Sequence, residues 1–279
     1  MMRRGSGGNA EYMEMACELA RLGARTASGL LGRVSVTRKD DDTPVTEADH
    51  LVQAAMLDVI AAQFPGHAVL VEETVADPVR HTAIAASEFC WVIDPIDGTR
   101  NFARGIPMYA TSVALMHRGE PLVAAIFDAS TGRLYSALRG GGAFREGDPL
   151  RIEDRAYSSD SVLFISSFRR RTPPPVIARW MQTYLFRNLG SICIHFAWLA
   201  AGFSDGAYAP ECKLWDLAAG ALLVSEAGGR LSDPAGGPLW PMDVARYGGE
   251  DLPMVAGTPT MHAELVRSLS EASLDTESE

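Results

Sequence analysis

The stretch Trp91-Val-Ile-Asp-Pro-Ile-Asp-Gly-Thr-Arg-Asn-Phe102 constrains this chain more than any other. Apolar strand formers run directly into two aspartates separated by a proline. The order predicts a buried strand ending at Asp94, followed by a type I turn with Asp first and Pro second, which brings Asp97 within about 7 Å of Asp94. Two carboxylates in so small a space raise each other's pKa unless a cation neutralises them, and hard divalent ions take such oxygen ligands. The fold must therefore present an acidic strand end.

What surrounds that stretch is a mixed α/β (α+β) pattern. Apolar residues at helical spacing predict helices over 10–31 and 47–64, the second opened by Thr46-x-x-Asp49, a capping box with Asp in place of the usual Glu. β-rich runs follow at 68–71, 90–93, 110–116, 122–127 and 133–138, close enough in sequence to predict a largely antiparallel sheet. Further on, a strand at 162–166 and helices at 175–186, 191–201 and 216–227 read as α/β, the last closed by Gly228-Gly229. With 279 residues and 47% hydrophobic content the chain can bury one large core or two smaller ones. We expect an N-terminal half over 9–147 carrying most acidic site residues and a C-terminal half over 148–270, meeting in the polar stretch 145–151. Residues 1–8 and 271–279 read as disordered ends, the second part of an acidic, Ser-rich run starting near Ser268.

Each remaining acidic group has a plain reading beside the functional one. Glu72-Glu73 follows the apolar run 68–71 and so sits at a strand end, a usual place for site residues. Asp216 opens a helix and by itself reads as a cap that accepts free amide hydrogens; Asp49 is in the same position with Thr46. His195 lies on an apolar helical stretch and reads as a satisfied core histidine. Arg139-Gly-Gly-Gly-Ala-Phe144 follows a strand without opening a helix, so it reads as a hairpin turn rather than a nucleotide-binding loop.

Taken together, four blocks in order change the balance: Pro44-Val-Thr-Glu-Ala-Asp49, Val71-Glu-Glu73, Asp94-Pro-Ile-Asp-Gly-Thr99 with Asn101-Phe102, and Trp215-Asp-Leu-Ala-Ala-Gly220 with Glu226-Ala-Gly-Gly229. In these the chain resembles the inositol monophosphatase family of magnesium-dependent, lithium-sensitive phosphomonoesterases, from roughly Lys39 to Gly229. The resemblance implies the layered αβαβα sandwich of the sugar-phosphatase superfamily. It also implies that Glu72, Asp94 and the Ile96 carbonyl hold a first Mg²⁺, that Asp94, Asp97 and Asp216 hold a second, and that Glu72 contributes to a third, weaker ion through water. Thr99 and Asp49 match the pair that orients and deprotonates the attacking water, with Glu72 beside them in the catalytic set. Substrate contacts fall on Ile96, Asp97, Gly98, Thr99, Gly190, Ser191, Ile192 and Asp216. The Gly98 and Thr99 amides would face the phosphate, where a helix N-terminus adds favourable dipole charge.

The substrate alcohol is less determined. In inositol-specific members of the family a glutamate seven residues before the Trp-Asp aspartate binds substrate hydroxyls; here that position is Ala209, with Glu211 out of register. Ile192 is bulky where a small residue is usual. A small phosphomonoester is expected, with inositol-1-phosphate, histidinol phosphate and sugar phosphates as candidates. An alternative is a 3′-phosphoadenosine-type bisphosphate, gripped by Arg169-Arg170-Arg171, whose simpler reading is a solvated loop. A non-catalytic metal or polyol-phosphate binding protein is the rival of a different class.

Net charge −10 argues against a nucleic-acid partner. No apolar run approaches a membrane span, and the N-terminus lacks an apolar signal core. Cysteines 17, 90, 193 and 212 show no paired spacing, which fits packing roles in a reducing cytoplasm. A homodimer is carried over from the resemblance alone.

Overall fold

The computed structural model describes residues 8–38, 44–72, 75, 78–169 and 172–276. Residues 1–7, Glu73, Arg170, Arg171 and 277–279, on which some of the expectations above fall, lie outside the described residues.

Helix α1 (Asn9–Ser28) comes first, followed by the short antiparallel pair β1 (Val36–Arg38) and β2 (Pro44–Thr46). Helix α2 (Glu47–Gln63) starts at the predicted capping box: Asp49 Oδ2 accepts the Thr46 N–H at 2.8 Å and the Thr46 hydroxyl at 2.6 Å. Next come β3 (Ala68–Val71), α3 (Pro78–Ala85), β4 (Phe89–Asp97) and the single-turn α4 (Thr99–Ala103). Strands β5 (Ala110–His117), β6 (Glu120–Asp128), β7 (Arg133–Leu138), β8 (Gly142–Arg145) and β9 (Asp148–Leu150) complete a sheet ordered β3-β4-β5-β6-β7-β8-β9. Only β3 and β4 in it run parallel. The glycine run 140–142 is the β7–β8 hairpin, its Gly140 and Gly142 amides held by the Glu226 carboxylate at 2.7 and 2.9 Å.

The second sheet takes β10 (Val162–Ile165), then helix α5 (Pro175–Thr183), β11 (Leu185–Arg187), helix α6 (Ile192–Ala200) and β12 (Gly206–Ala209). Helix α7 (Leu214–Glu226), β13 (Arg230–Ser232), β14 (Met254–Gly257) and α8 (Pro259–Thr276) follow, with sheet order β11-β10-β12-β14-β13.

Helices and sheets alternate as αβαβα. α1 and α2 cover one face of the first sheet around Leu19, Val52 and Trp91; α6 and α7 fill the space between the sheets; α5 and α8 cover the outer face of the second around Trp180 and Leu265. Close packing depends on glycine at two contacts. A side chain at Gly220 would meet the Phe196 ring at 2.2 Å, and one at Gly23 would meet Thr111 Cγ2 at 2.6 Å, so α6–α7 and α1–β5 approach through bare backbone.

Three local expectations are corrected. β4 does not end at Asp94; it continues to Asp97 through a bulge, since Asp94 pairs with Ser112 and Asp97 with Ala110, so two intervening residues oppose one. Pro95 has no N–H to give the ladder, and its carbonyl is taken instead by the Thr111 hydroxyl at 3.0 Å. The helix expected over 175–186 stops at Thr183, because Leu185, Phe186 and Arg187 pair with β10 as a parallel edge strand. The acidic run near Ser268 is not a disordered tail through Thr276. It belongs to α8, where Leu265 and Leu269 are buried and Ser268 accepts the Trp180 indole N–H at 3.0 Å.

Candidate active site

The β4 bulge, the loop before α6 and the first turn of α7 meet at one point. Ligand oxygens of Asp94, Asp97 and Asp216 all lie within 4.8 Å of one another, and all three residues are buried. Each carboxylate also has one oxygen engaged by a main-chain amide. Ile96 N donates to Asp94 Oδ1 at 3.0 Å, Cys193 N to Asp97 Oδ2 at 2.7 Å, and Lys213 N to Asp216 Oδ2 at 3.0 Å. Asp216 does not open the helix as expected: α7 begins at Leu214, and Asp216, at its third position, caps it by accepting the Lys213 N–H while still facing the other two acids.

The electrostatics oppose this arrangement unless positive charge is added. Burial, and after it the Glu72, Asp216 and Asp97 carboxylates, push Asp94 well above the usual carboxylate range. Asp216 is raised in the same way, by burial and then by Asp97, against the Lys213 amide that favours its charged form. Burial raises Asp97 too, while the Ser191 hydroxyl and the Cys193 amide hold it back. Glu72, half-buried just beyond β3, adds repulsion to both Asp94 and Asp216 and so belongs to the same cluster. Hard oxygen donors gathered in a dry space, each raised by burial, fit a divalent cation better than they fit protons.

The remaining site residues form a frame around the acids. Gly98 adopts a left-handed conformation with φ 93°, and a Cβ there would stand 2.9 Å from the Met108 carbonyl, so the turn into α4 accepts no other residue without strain. Thr99 opens α4 and donates its hydroxyl to the Ile96 carbonyl at 3.0 Å. Asp49 is buried at the start of α2 and bonds Thr46, and β2, which ends at Thr46, packs on α4. Gly190, at φ 76°, precedes Ser191, whose hydroxyl donates to Asp97 and accepts the Ile194 N–H, capping α6. Ile192 is half-buried in the first turn of that helix.

The model of the inositol monophosphatase family matches residues 9–274. The chain belongs to the inositol monophosphatase family. The "Nus factor SuhB" of Salmonella typhimurium is 32% identical over 248 residues, covering 85% of this chain and 89% of the relative. The "Inositol-1-monophosphatase" of Mesorhizobium japonicum is 30% identical over 257 residues, covering 87% and 89%. The solved structure of a Thermotoga maritima IMPase superposes with TM-score 0.81 at 26% identity, covering 95% of this chain and 98% of that one. By membership the chain is a phosphoric monoester hydrolase of a metal-dependent family, and its structure holds an acidic cluster.

Several residues hold this site together through partners that the sequence does not reveal. The Asn101 amide bridges the Met108 carbonyl at 2.7 Å and the Leu189 carbonyl at 2.8 Å, tying α4 to the 188–191 loop. Asn101 lies in the Asp94–Phe102 block of the sequence, but its partner Leu189 is remote in sequence. Neutral His195 accepts the Leu189 N–H at 3.0 Å and stacks on Phe164 with centroids 5.0 Å apart; burial pushes its pKa down to about 3. It is the satisfied core histidine expected, and it also steadies the loop that carries Ser191. On the other side, Lys213 pairs with Asp251 at 2.9 Å and the Tyr247 hydroxyl accepts the Leu214 N–H at 3.0 Å, strapping the 247–252 segment onto the start of α7. All four cysteines are unpaired. Among the described residues, no helix is long and apolar enough to cross a membrane.

Proposed function

We propose that the chain is a Mg²⁺-dependent phosphatase that hydrolyses a small phosphomonoester with an activated water. The observation that carries this reading is the convergence of Asp94, Asp97 and Asp216 within 4.8 Å, with Glu72 repelling two of them. Glu72, Asp94, Asp97, Asp216 and the Ile96 carbonyl are the groups that would hold two or three ions. Such ions, when bound, neutralise phosphoryl charge and lower the pKa of water.

The protein's own groups supply the rest. The Gly98 and Thr99 amides lie at the open end of α4, where unpaired N–H groups suit phosphate oxygens. Thr99, whose hydroxyl bonds the Ile96 carbonyl, is the residue we assign to position the attacking water, with buried Asp49 as its partner base. Ser191 and the Cys193 amide favour the charged form of Asp97 against its burial and hold the carboxylate in place. No serine or cysteine nucleophile is called for, since the Cys193 and Cys212 thiols are pushed well above their usual range by burial.

The alcohol side supports a substrate other than inositol monophosphate. Ala209 is buried in β12 and offers no polar group, while Glu211, near the usual position, accepts the Arg169 amide at 2.8 Å. Arg170 and Arg171 lie outside the described residues, so no observation favours the bisphosphate alternative. The non-catalytic reading is weakened by the survival of both Thr99 and Asp49. A cytoplasmic homodimer belongs to the same proposal.

The test is phosphate release with Mg²⁺ from inositol-1-phosphate, histidinol phosphate, several sugar phosphates and 3′-phosphoadenosine 5′-phosphate. Turnover of at least one, inositol-1-phosphate not the best, is expected. Silence across the whole panel refutes the assignment. Thr99→Ala is expected to lose about a hundredfold in kcat with Mg²⁺ affinity nearly intact.

A further inference from the structure

A second recess lies outside the acidic centre. Between α1 and the end of the first sheet where β5 begins and β6 stops opens a cavity of about 260 Å³, with Arg21 and Arg25 on one side and Ala24, Tyr109, Phe127 and Ala129 among its apolar walls. None of the clustered carboxylates lines it.

The two arginines are the anomaly. They stand four residues apart on one helix face, a spacing at which like charges repel. Arg21 reaches Glu146 only at 3.4 Å, and both side chains are partly exposed, a geometry worth little. Arg25 is exposed and makes no side-chain hydrogen bond or ion pair among the described residues. In a chain of net charge −10, two guanidiniums with so little opposite charge beside an apolar recess mark a place where a negative group is the missing partner.

We propose that this cavity binds a small organic anion with a planar apolar body. A carboxylate or phosphate group would sit between Arg21 and Arg25, since guanidinium presents paired donors that match either group. The planar body would lie along Phe127 and Tyr109, in a space near the lower end of small-molecule sites, roughly 300 Å³. The inference does not depend on the phosphatase assignment.

The site adjoins the catalytic frame without sharing its ligands. Tyr109 meets Phe102 of α4 edge-on, with centroids 4.9 Å apart at 85°. The same helix, α1, touches β5 where Gly23 packs on Thr111, the residue that holds the Pro95 carbonyl inside the bulge.

The experiment titrates the full chain with anilinonaphthalene sulfonate, followed by fluorescence, beside the neutral analogue N-phenylnaphthylamine. Saturable binding of the sulfonate is expected at roughly one site per chain. The double variant Arg21→Gln/Arg25→Gln should weaken it by roughly tenfold or more, leaving the neutral dye unaffected. Arg25→Glu alone should do the same, and this exposed, unpaired position keeps the fold out of the readout. Equal sulfonate affinity in wild type and variants, a parallel loss for both dyes, or no saturable binding overturns the proposal. The last outcome includes the case in which a second copy of the chain, or its acidic C-terminal segment, already covers the cavity.

Discussion

At its first residue β4 carries Phe89, stacked between His67 and His117 with ring centroids 4.8 Å from each; at its last it carries Asp97, held beside two other buried acids. The Phe89 end extends through Phe64, 4.9 Å beyond His67, and its contacts favour folding under any solution condition that keeps the rings neutral. The Asp97 end gathers like charges away from water, which opposes folding until a cation arrives. One strand therefore divides the labour. Its ring-bearing end helps hold the sheet together, so that its acidic end can keep a geometry that would not persist in isolation.

The sharpest way to break that contrast is Asp94→Asn. Activity should fall roughly a thousandfold, since the residue central to the cluster no longer offers an anionic ligand. Stability should move the other way. Asp94 has a folded pKa above its unfolded value, so its burial costs nothing below about 3.8 and costs more as pH rises through the folded value. In chelator near neutral pH the variant should therefore melt above wild type. A lower melting temperature there would show that the acidic end is not under electrostatic stress.

Ser191→Ala tests how that end is kept in order. Losing the hydroxyl that both donates to Asp97 and caps α6 should weaken Mg²⁺ binding about 10- to 100-fold by calorimetry. Unchanged affinity would reduce Ser191 to a helix cap. At the other end, Phe89→Ala should cost about 2 kcal/mol in denaturant unfolding while leaving the specific activity of the folded fraction intact. A matching loss of activity would mean the two ends are not separable.

The smallest effect is a pH slope of opposite sign. Burial lowers the His67 pKa, so the neutral ring's contribution is present above its unfolded value of about 6.5 and is lost as pH falls below it. Wild type should lose stability in that window, and His67→Phe, which keeps an aromatic ring in the stack, should lose less. Identical slopes would remove His67 from the comparison.

Much of the acidic end was readable because its chemistry is local to short motifs. Asp94 and Asp97 sit three apart, and the Trp215-Asp216 block announces itself. The helix α2 cap at Thr46 and Asp49, the hairpin at 140–142 and the buried role of His195 were legible for the same reason. What escaped depends on partners remote in the chain. β4 runs on through Pro95 because Thr111, sixteen residues later, satisfies a carbonyl that a turn would have left to solvent. α8 reaches Thr276 because Leu265, Leu269 and Ser268 find Trp180, which rescues a polar, acidic sequence from the disorder its composition suggests. Leu185 leaves α5 because β10 offers it an edge. Propensity has no access to any of these.

The amides that steady the three aspartates carry one further consequence. Calcium gains most from acids that lend both oxygens at once, in a loose shell of six to eight donors, whereas magnesium asks for about six single oxygens at short, nearly fixed distances. Ile96, Cys193 and Lys213 each tie one carboxylate oxygen to the main chain. With one oxygen of each acid so engaged, the three present single free oxygens, the mode of donation that a small hard cation asks for and a loose shell does not.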